Sequence, residues 1–123
     1  MPVPILKQGS VLIASIQAAL TDQDLVQLKE ELADKVGRFR ARGVIVDVSA
    51  LDVMDSFATR TLRSIAETTK LRGAKAVIVG IQPDVAFTMV QLGLLLEGVA
   101  TALDLEEGLE LLAKAAEEGR IRG

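Results

Sequence analysis

The segment Gly43-Val44-Ile45-Val46-Asp47-Val48 does most to limit what this chain can fold into. A strand with one wet face alternates apolar and polar residues. A near-continuous β-branched run instead needs cover on both faces, which is the habit of a parallel strand inside an α/β sheet. Lys75 to Val79, closed by Gly80, is a second run of the same kind. Between them lies Ala58, Leu62, Ile65, Ala66 and Thr69, a helical stripe that begins near Ser56 and stops at Gly73. Strand, helix and strand in this order predict a right-handed parallel crossover.

The flanking sequence extends the pattern. Val3 to Lys7 and Val11 to Ile16 are short apolar runs on either side of Gln8-Gly9-Ser10, which reads as a hairpin turn. Thr21-Asp22-Gln23-Asp24 has the spacing of a capping box. Leu25, Leu28, Leu32, Val36 and Phe39 then mark one helical face. Arg38, Arg40 and Arg42 suit the negative end of that helix, with Gly43 expected to stop it. Pro83 fits a first helical turn, with Val85, Met89 and Leu92 as the inner face and Gly93 at the end. Val99 to Ala102 suits a short strand. Asp104 through Glu107 is a second capping pattern, ahead of Leu105, Leu109 and Leu112. The predicted class is α/β: a single domain over 1–123, with a mixed sheet of four to five strands and about four helices. An antiparallel hairpin opens it and parallel strands follow. The core is expected over about 5–116, with 117–123 a frayed basic tail.

Composition removes whole classes of chemistry. The 123 residues include no Cys and no His, so thiolate nucleophiles, disulfides, zinc–thiolate sites and the usual general base are excluded. Fourteen Lys and Arg stand against seventeen Asp and Glu, a net charge of -3, which is the wrong sign for gripping phosphates. With three Phe and no Trp or Tyr, stacking platforms for single-stranded nucleic acid are missing too. No apolar run approaches the roughly 20 residues of a membrane span. Nor does Met1-Pro2-Val3-Pro4 begin a signal peptide. A cytoplasmic protein with no nucleic-acid or membrane partner and no cofactor is the expectation.

Two further reactions can be weighed on spacing. Asp47, Asp52 and Asp55 cluster past the end of one strand, where α/β sheets bind ligands, and three carboxylates suit Mg²⁺. The same residues serve equally as strand end, loop turn and helix cap. A phosphoaspartate receiver would need an acid pair after Ile16 and a Lys after Ala102, and has neither. There is no Gly-x-Ser-x-Gly elbow and no glycine-rich phosphate loop. The reading is therefore of a protein that is not an enzyme.

Val53-Met54-Asp55-Ser56-Phe57-Ala58-Thr59-Arg60 remains, an acid and a hydroxyl at a helix start. Ser56 suits a cap as well as an exposed site. Phe57 lies off the Ala58–Leu62 stripe, as either a contact surface or a staple folded under the loop. Arg60, one turn on from Ser56, either steers an acidic or ATP-bearing surface or simply solvates its face.

The sequence here resembles the STAS domain, the fold of bacterial anti-sigma factor antagonists. Within that family it is most similar to RsbS-type stressosome scaffolds. The segments that carry the likeness are Gly43 to Val48, Met54-Asp55-Ser56-Phe57, and Gly80-Ile81-Gln82-Pro83 with Val85-Ala86 and Leu92-Gly93. Ala102-Leu103-Asp104-Leu105-Glu106 points to the stressosome branch. The resemblance implies that Ser56 is phosphorylated by an RsbT-like serine kinase. Asp55, Phe57, Thr59 and Arg60 would line the surface that meets this partner. It also implies self-association, as a dimer and in a larger assembly with RsbR-type paralogs, and an RsbX-type phosphatase that resets it. A first strand so near Met1 suits the scaffold and not the paralogs that carry a sensor domain. Many antagonists read Asp-Ser-Ser-Gly at this helix start. Asp55-Ser56-Phe57-Ala58 departs from that, which agrees with the scaffold branch. A simpler antagonist, binding one anti-sigma kinase as a heterodimer, is the alternative.

Overall fold

In the computed structural model, which describes residues 3–122, five strands form one sheet in the order β1-β2-β3-β4-β5. They are β1 (Ile5–Gln8), β2 (Val11–Ser15), β3 (Gly43–Asp47), β4 (Lys75–Val79) and β5 (Ala100–Ala102). β1 pairs antiparallel with β2, with Gln8 opposite Val11 across the Gly9-Ser10 turn. Gly9 has φ +60, which glycine adopts without strain. Every later pairing is parallel, with Ile13 beside Ile45 and Ile45 beside Val77. The expected mixed α/β sheet is the one observed.

Helices α1 (Asp22–Phe39), α2 (Ser56–Leu71) and α3 (Pro83–Leu92) connect the parallel strands, and α4 (Leu105–Arg122) follows β5. Strands added in sequence order by right-handed crossovers put all three connecting helices on one face. The side chains obey this with a period of two. Leu12, Ala14, Val44, Val46, Ala76 and Ile78 pack with Leu28, Leu32, Leu62, Ile65 and Met89 of α1 to α3. The alternate residues Ile13, Ile45, Val77 and Val79 pack with Leu112 of α4. The β-branched runs are thus buried on both sides because helices cover both sides.

Several boundaries differ from expectation for local reasons. α1 stops at Phe39, four residues before Gly43, because Arg40 takes the left-handed conformation at φ 51. Its N–H donates to the Val36 carbonyl. Gly43 instead opens β3 where a Cβ would lie 2.7 Å from Leu112 Cδ1, so it admits α4 to the sheet. Phe39 and Leu92, expected on inner faces, are largely exposed. α4 runs through residues 117–122, which were expected to fray, and Gly123 lies outside the described residues. Among the described residues no helix is long and apolar enough to cross a membrane.

Candidate functional site

The carboxyl ends of β3 and β4 hold the loop that carries the singled-out residues. Val48 donates its N–H to Val79 O (3.0 Å), which continues the ladder one residue past β3. Asp47 Oδ1 then accepts from Ser49 N (2.9 Å), and Leu51 N reaches Val48 O (3.0 Å), closing a turn. Leu51 and Met54 are buried and anchor the loop to the core, leaving Asp52 and Val53 outside. From the neighbouring crossover, Gln82 Nε2 donates to Ser49 O at 2.8 Å and to Asp52 Oδ1 at 3.4 Å. Gly80 lets the two loops come together. At φ +82, a Cβ there would stand 2.9 Å from Ser49 Cβ.

Asp55 is the N-cap of α2. Its backbone is extended and its Oδ1 accepts from Ala58 N at 2.8 Å. The cap therefore falls on Asp55, and Ser56 becomes the first helical residue. Ser56 is exposed, and its hydroxyl has no hydrogen-bond partner among the described residues. A first-turn residue sits beside the free N–H groups and positive end of the helix dipole. The chain thus presents an unengaged hydroxyl at a place that tolerates added negative charge.

The neighbours divide by depth. Phe57 is half-buried against the core, so of its two readings the folded-back one holds, with part of the ring still at the surface. Arg60 is exposed one turn beyond Ser56. Thr59 departs from the expectation that it lines the contact surface: it is only 2% exposed, and its Oγ1 donates to Asp55 O at 2.9 Å. It braces the helix start from beneath. Asp47, Asp52 and Asp55 are each engaged by the separate contacts above, and no group of three or more His, Cys, Asp or Glu among the described residues is placed to hold a metal.

Gln82 and Gly80 are the site residues that the sequence reading did not single out for a role. Gly80-Ile81-Gln82-Pro83 carries the resemblance, but a tether spanning 33 residues leaves no trace in periodicity.

Comparison with known proteins agrees with this geometry. The family model of the STAS domain matches residues 3–108. Among solved structures, RsbS from Moorella thermoacetica, a variant with one serine replaced by glutamate, superposes with a TM-score of 0.80 and 41% identity. That match covers 94% of this chain and 97% of the other. A chain from the molecular architecture of the stressosome, described as a signal integration and transduction hub, gives 0.78 and 42%, covering 92% and 98%. By sequence, the RsbT co-antagonist protein RsbRA of Bacillus subtilis is 31% identical over 84 residues, 68% of this chain. This chain spans only 31% of the length of that relative. The anti-sigma factor antagonist SpoIIAA, at 14% identity and a TM-score of 0.65, shares the fold.

Proposed function

This chain belongs to the STAS domain family, in its RsbS-type branch, and we propose that it is a non-enzymatic scaffold which holds a serine kinase until Ser56 is phosphorylated. The observation that carries the reading is the exposed Ser56 hydroxyl, left free because Asp55 does the capping. Asp55, Ser56, the uncovered edge of Phe57 and Arg60 form the contact surface. The partners are an RsbT-like kinase, RsbR-type paralogs and an RsbX-type phosphatase.

The physics favours release without refolding. A phosphoserine brings about -1.5 to -2 charges. The helix N-terminus favours it by about 0.3–2 kcal/mol. Asp55 opposes it: unit charges some 6 Å apart near a surface repel by roughly 1–3 kcal/mol. The two nearly cancel, and both are small beside a domain stability of about 5–15 kcal/mol. At an interface the balance changes. A dianion desolvated against a partner fitted to a neutral hydroxyl costs several kcal/mol, and each 1.4 kcal/mol is about tenfold in affinity. The hydroxyl therefore acts as a wedge: bare it permits contact, esterified it forces the surfaces apart.

Incubating the chain with an RsbT-like kinase and ATP, then mapping phosphate by mass spectrometry, tests the assignment. One phosphate on Ser56, absent in Ser56→Ala, is expected. A phosphate on another residue, or none, contradicts it.

A further inference from the structure

A cavity of about 730 Å³ lies at the opposite end of the sheet from Ser56. It opens between the amino ends of β2, β3 and β4 and the second half of α4. The strand register places it there. Val11 pairs with Gly43 and Gly43 with Lys75, so these three share one face of the sheet. That face is the one α4 covers, since a Cβ on Gly43 would meet the Leu112 side chain. Leu112 is also the last buried residue of α4 among those described. The inward positions one and two turns further on are Ala115, Ala116 and Gly119. These small residues line a gap where longer side chains would have closed the seam.

The polar groups of the cavity are unbalanced. Arg42 and Lys75 line it from adjacent strand starts, joined by the bond from Lys75 N to Arg42 O at 3.0 Å. Lys75 is a cation on the same face that Val77 and Val79 bury against α4. Neither side chain has a hydrogen bond or ion pair among the described residues, and no Asp or Glu among them lines the cavity. The Arg42 and Gly43 N–H groups both donate to Ser10 O, so an incoming anion meets the two cationic side chains and not the backbone. Away from the cations the lining is apolar, with Val11, Leu109 and Leu112.

We infer that this cavity binds a fatty-acid anion, its carboxylate between Arg42 and Lys75 and its alkyl chain along Leu109, Leu112 and Ala116 of α4. The volume lies within the roughly 300–1,000 Å³ of small-molecule sites. Two uncompensated cations favour a single anionic head, and a guanidinium pairs with a carboxylate through parallel hydrogen bonds. The apolar lining favours an alkyl tail. From Leu109 to Gly119 α4 runs about 15 Å, the reach of an extended medium-length chain such as decanoate. A nucleotide finds no partner for its base: no Phe lines the cavity to stack on it, and no Asn or Gln to read its edge. A bound chain bridges α4 to three strands, and so should raise the melting temperature with concentration. The site lies apart from Ser56 and does not depend on its role.

Calorimetric titration with decanoate, kept below its micelle concentration, tests the inference. Saturable binding of one molecule with submillimolar affinity is expected. Decanol, with the same tail and no charge, should bind at least about tenfold more weakly, as should decanoate to the Arg42→Gln/Lys75→Gln double variant. Ala116→Leu, at an exposed helical position, fills the cavity and should abolish binding. A circular-dichroism melt confirms that each variant is folded. Amide resonances of Lys75, Ala113, Ala116 and Gly119 should shift on titration, and those of Phe87 and Val90 on α3 should not. No saturable binding overturns the inference. So do equal affinities for decanol and decanoate, unchanged binding in either variant, or shifts centred on Phe87 and Val90. Co-sedimentation with phosphatidylglycerol vesicles, without binding of monomeric decanoate, would assign the two cations to a membrane surface and overturn it as well.

Discussion

At the scale of single residues, the important distinction is between Asp55 and Ser56. Either could cap a helix by composition, and either would have satisfied the sequence pattern. The fold gives the cap to Asp55, whose Oδ1 takes the Ala58 N–H, and leaves Ser56 unengaged at the surface. The two positions therefore respond differently to truncation. Asp55→Ala is expected to destabilise the chain by about 0.5–2 kcal/mol. Ser56→Ala should change stability by less than about 0.5 kcal/mol, as an exposed site without partners does. Urea midpoints of the two variants beside the parent check this. Comparable losses at both positions would mean that Ser56 shares the cap.

Elements show most clearly what the sequence discloses and what it hides. The Thr21–Asp24 box is legible because it is local: Asp24 N donates to Thr21 Oγ1 and Thr21 N to Asp24 Oδ2, each at 3.1 Å. The second of these bonds, from the backbone Thr21 N–H, does most to hold the Asp24 carboxyl below its usual value. A carboxylate depressed on folding stabilises the fold above its unfolded pKa, and that share is lost as pH falls through its folded value. Asp24→Asn should accordingly be less stable than the parent at neutral pH, and the two should converge at strongly acid pH. Melts across pH test the sign. The doubly buried strands were equally legible, since their period and β-branching are a property of each run. The end of α1 was not, because Arg40 adopts a conformation that glycine usually takes. The seat of α4 was hidden too. Gly108 reads as a weak point in a helix, yet a Cβ there would lie 2.8 Å from Val79 Cγ1. Gly108→Ala should gain about 1 kcal/mol of helix propensity and still lower the melting temperature, because Val79 is short, stiff and buried. A rise would show that α4 rides further from the sheet than described.

For the whole molecule, the parallel strands gather the β3–α2 and β4–α3 loops at one end, and Gln82 ties the second loop to the one that leads into Ser56. The site was readable in the sequence as far as the Asp-Ser pair and its helix. Its tethers, and the burial of Thr59, depend on contacts between distant residues and became visible only in the fold. The central claim is that phosphate on Ser56 expels the kinase while the architecture stays as it is. Titrating an RsbT-like kinase against the unmodified and the Ser56-phosphorylated chain, each first shown by circular dichroism to melt alike, measures it directly. The account predicts an affinity at least about a hundredfold weaker for the phosphorylated form, the equivalent of a few kcal/mol. Equal affinities for the two forms would contradict it.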